Sequence, residues 1–328
     1  MDEDFFVLGG DKVFVAIILL IVGFVILIKG ADIFVDGASN LARRFGLSKM
    51  FVGLTIVAFG TSAPKFAVSV KSIISGSGEI VLGNVIGSNI LNVLLILGVA
   101  SLVHDLKVKN DTVKKELPIV LLLTMLLITL MNDKILGGGD NILTRGDGIV
   151  LVLFFGVFIY YLVSMMINKK EKEEDNKEAK YSLIKSIAFT VGGIVAIVIG
   201  SNLVVNNASK LAVMLAISER IISLTIIALG TFLPELVTSV VATKKGEYEI
   251  AIGNIVGSNI FNIGLVLGVP IALFGNVVVG GFGFMDLLFF FASASTLFIM
   301  LLNDYKIRRY EGLFLLLMFI VYYTCILI

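Results

Sequence analysis

The chain has no tryptophan, one cysteine, one histidine and four prolines among 328 residues. A single cysteine excludes an internal disulfide, and Cys325, in the last apolar run, reads as a core residue. Without tryptophan, an interfacial aromatic belt falls to tyrosine and phenylalanine. Charge is scarce too. Asp, Glu, Lys and Arg make up 16% of the residues and the net charge is +1, so there is no basic surface for nucleic acid. No Gly-x-x-x-x-Gly-Lys-Ser/Thr loop offers a seat for ATP. The acidic start, Met1-Asp2-Glu3-Asp4, lacks the cationic region of a signal peptide, so the first apolar run is expected to be retained.

What the chain has is apolar length. Hydrophobic residues make up 58% of it and gather in runs of roughly 18–25, the length of a membrane-spanning helix. Ten spans are expected at 13–39, 49–75, 80–103, 116–132, 147–167, 182–208, 219–243, 249–275, 284–303 and 309–328. Between the fifth and sixth lies a charged linker, 169–181, expected to be a solvated connection between two halves. Basic residues alternate between loops: Arg43, Arg44 and Lys49, then Lys107, Lys109, Lys114 and Lys115, then the linker, then Lys244 and Lys245, then Lys306, Arg308 and Arg309. The positive-inside rule therefore puts the ends of the odd spans in the cytoplasm and both termini outside a multi-pass plasma-membrane protein.

The two halves are copies. Gly30, Gly60, Gly83 and Gly98 recur without a gap as Gly200, Gly230, Gly253 and Gly268, each 170 positions on. Over Ile80–Val99 and Ile250–Val269, 12 of 20 positions are identical, including the polar skeleton Gly-Asn-x-x-Gly-Ser-Asn-Ile-x-Asn. An offset of five spans is odd, so the second copy enters the membrane from the opposite side, an architecture of secondary transporters with the site near mid-membrane. The fold class expected is an all-α polytopic membrane protein, ten transmembrane helices forming two inverted five-helix repeats, 1–168 and 182–328.

Polar chemistry concentrates in two stretches per repeat. One is Ala58-Phe59-Gly60-Thr61-Ser62-Ala63-Pro64-Lys65, repeated as Ala228-Leu229-Gly230-Thr231-Phe232-Leu233-Pro234-Glu235. The other is Gly83 to Asn92, repeated as Gly253 to Asn262. A carboxylate at membrane depth is costly and marks an ion pathway. Pro234 has no N–H, which frees the Gly230 carbonyl beside it. Oxygen ligands of this kind suit Na⁺ or Ca²⁺. Ser88 and Asn92 share one helix face, as do Ser258 and Asn262. Gly83, Gly87, Gly253 and Gly257 read as packing positions, Pro118 and Pro270 as structural, and His104 as a surface residue; Asp32 is a candidate for the access path.

Gly-Thr-x-x-Pro-Glu, followed about twenty residues later by Gly-Asn-x-x-Gly-Ser-Asn-x-x-Asn, resembles the alpha repeats of the sodium/calcium exchanger family. The resemblance spans nearly the whole chain. It implies an antiporter, not an enzyme, that alternates access to a central site and moves Ca²⁺ against Na⁺, or H⁺ in some branches, with no cofactor, and with membrane lipid and inorganic cations as its only partners. It implies an ion site built from Thr61, Ser62, Ser88 and Asn92 and from Thr231, Glu235, Ser258 and Asn262. The carbonyls of Ala58 and Ala228 are further ligand candidates, and the metal ligands proper would be Glu235, Asn92, Asn262, Ser88 and Ser258. Three positions depart from the pattern: Lys65 replaces the first repeat's glutamate, Phe232 stands opposite Ser62, and Asn262 stands where sodium-coupled relatives often carry aspartate. An ammonium offers no acceptor and repels a cation at short range. Lys65 is therefore expected either to alter ion choice and coupling, or to pair with Glu235 and plug the site in a member that does not transport Ca²⁺.

Overall fold

The computed structural model describes residues 3–137, 140–167, 179–215 and 230–327. Its helices are α1 (Glu3–Phe45), α2 (Lys49–Ile74), α3 (Gly78–Val103), α4 (Leu117–Leu130, entered through a wide turn at Thr112–Glu116), α5 (Arg145–Ile167), α6 (Leu183–Met214), α7 (Leu233–Lys244), α8 (Tyr248–Phe274), α9 (Phe284–Asp304) and α10 (Arg309–Leu327). Among the described residues, eight of these are long and apolar enough to cross a membrane, α4 and α7 being shorter. The expected seventh span, 219–243, is described from residue 230 onward; the rest of it lies outside the described residues, as does most of the linker. The first helix runs further than its apolar run, from Glu3 to Phe45.

The repeats are inverted. Lys109, beyond the end of α3, pairs with Glu249 at the start of α8 at 3.3 Å. At the other end, a Cβ on Gly78, at the start of α3, would meet Val277, just past α8. The two helices are antiparallel, and so are α1 and α6. Glycine lets that second pair touch backbone to backbone, the usual device where lipid offers no hydrophobic drive to association. A Cβ on Gly200 would lie 2.6 Å from the Leu27 nitrogen, and one on its repeat mate Gly30 would lie 3.0 Å from the Ile197 nitrogen. Gly200→Val is expected to cost about 1–3 kcal/mol of stability through overpacking; an unchanged melting temperature in detergent would mean that α1 and α6 do not meet there.

The turns repeat as well. Gly76 and Gly246, one repeat apart, sit at φ +77° and +74° and close the α2–α3 and α7–α8 hairpins, a left-handed conformation that glycine adopts freely. Two short antiparallel ribbons, Leu106–Lys107 with Lys306–Ile307 and Ile142–Leu143 with Val277–Val278, tie the loops at opposite ends of the bundle. Among the described residues they are the one β component of an otherwise helical fold.

Helices α3 and α8 form the centre. Within their apolar windows 72% and 83% of residues are buried, against 17% for α5 and α10. That asymmetry corrects one expectation: Cys325 is exposed, because α10 packs along only one side.

Candidate functional site

The two Pro-containing stretches converge. Lys65 Nζ donates to Glu235 Oε1 at 2.7 Å, joining residues one repeat apart; the lysine side chain is 5% exposed and the glutamate 0%. The Phe232 ring lies beneath the ammonium, its centroid 5.4 Å from Nζ, in cation–π contact. Phe232, which departs from the Ser62 pattern of the first repeat, therefore flanks the same ammonium. Among the described residues Glu235 Oε2, Ser62 Oγ, Ser69 Oγ and Thr238 Oγ1 are buried and have no hydrogen-bond partner.

Thr61 Oγ1 sits at the meeting point of the repeats. It is 3.2 Å from the carbonyls of Val57 and Ala58, 3.2 Å from Asn254 Oδ1 and 3.5 Å from Ser258 Oγ. The Ala58 carbonyl thus already accepts a bond, and Ala228 lies outside the described residues. Ser88 donates to the Asn84 carbonyl of its own helix. Asn92 donates to Asn259 Oδ1 at 2.8 Å and Asn262 to Asn89 Oδ1 at 2.9 Å, so the two amides cross between repeats. Both begin wide π-helical turns, Asn92–Leu97 and Asn262–Gly268, a backbone feature frequent at functional sites.

One expected ligand is spoken for. The Gly230 carbonyl freed by Pro234 accepts a 3.0 Å hydrogen bond from Ser201 on α6. Thr231 lines a cavity of about 210 Å³ together with Thr61, Lys65, Asn84, Ser201 and Asn202. Gly253 and Gly257 pack as expected, a Cβ on each falling within 2.9 Å of α2 atoms. Gly87 has no described atom within 4 Å of its own Cβ position.

Several site residues escaped the sequence reading. Asn84, Asn89, Asn254 and Asn259 stand in the repeated Gly-Asn-x-x-Gly-Ser-Asn skeleton, so the signal was there. Asn254 donates to Ser239 Oγ at 2.9 Å and accepts from Thr61, which links α7, α8 and α2. Ser201 carried no motif.

Asp32 does not reach the site. It is 46% exposed and, with Asp36, holds Lys245 at 2.9 and 2.7 Å. Burial lowers the pKa of the Lys245 ammonium, but the bonds and charges of Asp36 and Asp32 outweigh it, and the net direction is upward. Arg43 and Lys49 pair with Glu247 at 3.0 and 3.1 Å beside this cluster. These links join α1 and the start of α2 to the α7–α8 turn at the basic-loop end, and Lys109–Glu249 lies at the same end. The repeat mates of Lys245, Glu247, Asp32 and Asp36 are Ser75, Ser77, Asn202 and Asn206, so among the described residues the opposite end has no equivalent of these pairs. The cavity beside Lys65 lies toward that unclasped end, between the second half of α2, α6 and the start of α7. His104 is exposed as expected and stacks on Tyr248, ring centroids 5.0 Å apart.

Comparison with known proteins now has a geometry to meet. The sequence pattern of the sodium/calcium exchanger protein family matches residues 15–164 and again 185–328, one match per repeat. The chain belongs to the sodium/calcium exchanger family. It is 38% identical over 320 residues to the putative antiporter CaxA of Alkalimonas amylolytica, covering 94% of this chain and 97% of that one. It is 31% identical over 337 residues to the sodium/calcium exchanger MaX1 of Methanosarcina acetivorans, covering 93% and 96%. The solved sodium-calcium exchanger NCX_Mj, in crystals soaked with zero Na⁺ and Ca²⁺, superposes with a TM-score of 0.80 at 28% identity over 96% of this chain and 99% of that one. This exchanger-family chain is accordingly a multi-pass membrane protein of a transporter family. No group of three or more His, Cys, Asp or Glu side chains capable of holding a metal occurs among the described residues. Among the described residues Glu235 is the one carboxylate in this polar cluster, and it faces an ammonium.

Proposed function

We propose that this chain is a secondary active cation antiporter that alternates access to a mid-membrane site, with the Lys65 ammonium as a built-in counter-cation of Glu235. The observation that carries this reading is the buried 2.7 Å contact between Lys65 and Glu235. A transported cation must displace Nζ from Oε1 before the carboxylate can serve it. The residues we assign to the ion are Thr61, Ser62, Ser88 and Asn92 from one repeat and Thr231, Glu235, Ser258 and Asn262 from the other. Lys65 sets the charge. Na⁺ and Ca²⁺, the ions named for MaX1 and NCX_Mj, are the cargoes to test first.

Charge separates the two. With Lys65 charged, the pair sums to zero, which suits a monovalent ion better than Ca²⁺, since Ca²⁺ takes six to eight oxygens with compensating carboxylates. We further assign the basic-loop end to the cytoplasm and both termini to the outside of the plasma membrane, on the alternation of basic loops.

The test is counterflow. Proteoliposomes loaded with unlabelled Na⁺ or Ca²⁺ are expected to accumulate ²²Na⁺ or ⁴⁵Ca²⁺ above protein-free vesicles, and Glu235→Ala is expected to abolish it. No counterflow of either ion, from a chain that is folded and inserted, would replace the antiporter with a sealed member of the family whose ion pair plugs the site.

A further inference from the structure

Four asparagines, Asn89 and Asn92 on α3 and Asn259 and Asn262 on α8, meet across the repeat boundary, all but completely buried. Their bonds form a chain, and at Asn89 a backbone carbonyl forces its orientation. Asn89 Nδ2 donates to the backbone carbonyl of Asn259 at 3.2 Å, and a carbonyl can only accept. The Asn89 amide is thereby fixed, and its Oδ1 is turned toward Asn262 at 2.9 Å. The atom of Asn262 that meets it must be the donor, Nδ2. The Asn262 carbonyl oxygen is then directed away from the bond, and among the described residues it has no partner although the residue is 0% exposed. In the other direction Asn259 Oδ1 takes the Nδ2 of Asn92 at 2.8 Å, and among the described residues Asn92 Oδ1 is left without a partner, again at 0% exposure.

Two bare, buried acceptors in symmetric positions are costly to keep. Both belong to helix faces that carry the site hydroxyls. Asn262 is one turn from Ser258, whose Oγ lies 3.5 Å from Thr61, and Asn92 is one turn from Ser88. A cation would find a carbonyl oxygen at each place. With either amide reversed it would meet an N–H instead and be repelled.

We propose that Asn89 and Asn259 are positioning residues of the transport site: each binds the amide nitrogen of Asn262 or Asn92 in the opposite repeat and so aims its Oδ1 at the ion. The proposal rests on the antiporter reading above, and it assigns to these two residues a task distinct from gluing α3 to α8.

The experiment uses the full chain purified in detergent and reconstituted. It reads the Na⁺ and Ca²⁺ concentrations that half-maximally raise the melting temperature, and the KM and maximal rate of counterflow. Asn89→Leu is expected to weaken the ion midpoint and raise KM by about 10- to 100-fold, the range for losing an outer-shell partner, with little change in maximal rate. In an Asn262→Asp background the orientation requirement disappears, because both carboxylate oxygens accept. There Asn89→Leu is expected to shift the midpoint by less than about threefold, the mark of coupling between the two positions. Asn89→Ala removes the same acceptor and is expected to give the same penalty in the parental background and the same small shift in the Asn262→Asp background; it serves if the leucine variant fails to fold.

An equal penalty from Asn89→Leu in both backgrounds, or a lower melting temperature with no change in ion midpoint, would make the asparagines structural glue and overturn the proposal. If neither ion stabilises or moves through the parental chain or its Asn262→Asp variant, the antiporter reading fails and the positioning role goes with it. If ions bind and exchange but Asn89→Leu leaves midpoint and KM unmoved, only the positioning role fails.

Discussion

The Lys65→Glu chain is expected to bind Ca²⁺ more tightly than the parent by about two to three orders of magnitude, and to take up ⁴⁵Ca²⁺ into Na⁺-loaded proteoliposomes. The reason is charge at short range. In the parent, the ammonium 2.7 Å from Glu235 Oε1 fills the position a cation would need and cancels the one carboxylate at the centre. Substitution removes a repulsion and adds an attraction. Each amounts to about 4 kcal/mol for unit charges 4 Å apart at an effective dielectric of 20, from which the cost of holding two carboxylates together in the empty site must be subtracted. Among the described residues Glu235 Oε2, Ser62 Oγ, Asn92 Oδ1 and Asn262 Oδ1 are buried without a hydrogen-bond partner, and these are the oxygens proposed to meet the ion. Isothermal titration with Ca²⁺ checks the affinity and isotope uptake checks the transport. A variant that folds, inserts and still ignores Ca²⁺ would mean that residues 65 and 235 do not mark the ion position, or that Phe232 and Asn262 have removed too many ligands for the site to recover.

The Glu235→Gln chain is expected to lose about 3–5 kcal/mol of stability, the usual penalty for removing one partner of a buried ion pair. Lys65 would be left in an apolar interior without its carboxylate, with only an amide oxygen and the Phe232 ring for company. The loss should register as a large fall in melting temperature in detergent and as reduced folded yield. Replacing both partners, Lys65→Met with Glu235→Gln, is expected to recover most of it, because the buried charge is then gone. The double substitution separates a pairing effect from a packing effect. A parental melting temperature for Glu235→Gln alone would show that Lys65 does not depend on the carboxylate and would remove the counter-cation from the proposal.

The ion pair and the one-ended clasp also bear on each other. Arg43, Lys49, Lys245 and Lys109 hold the basic-loop end through Glu247, Asp32, Asp36 and Glu249. The cavity beside Lys65 lies toward the other end. An alternating-access cycle would have to break these surface and half-buried pairs when that end opens. Each is a modest interaction where solvent reaches it, but three cationic side chains act on one hairpin whose own Lys245 reaches out to α1, so opening toward the two ends is expected to differ in energy.

Much of the architecture could be read from residue order alone. An offset of 170 residues between Gly60 and Gly230 and between the two Gly-Asn-x-x-Gly-Ser-Asn skeletons spans an odd number of apolar runs, and that fixes an antiparallel second copy. The same offset puts Lys65 opposite Glu235, because residues related by such a repeat flank its pseudo-twofold axis. A carboxylate and an ammonium at membrane depth then have strong reason to meet. Tertiary structure decided the rest. Hydropathy cannot tell a lipid-facing side from a core-facing one when both surroundings are apolar, so Cys325 read as buried and is exposed. Nor can it name the donor that takes a freed carbonyl, which for Gly230 is Ser201, from a stretch without a motif. Asp32 stands in an apolar run, yet a lysine from the α7–α8 turn claims it, a contact between residues 213 positions apart. The asparagines of the skeleton advertised their importance by recurring; which of them faces the ion and which holds its neighbour in place is a matter of amide orientation. Only the packing of α3 against α8 determines that.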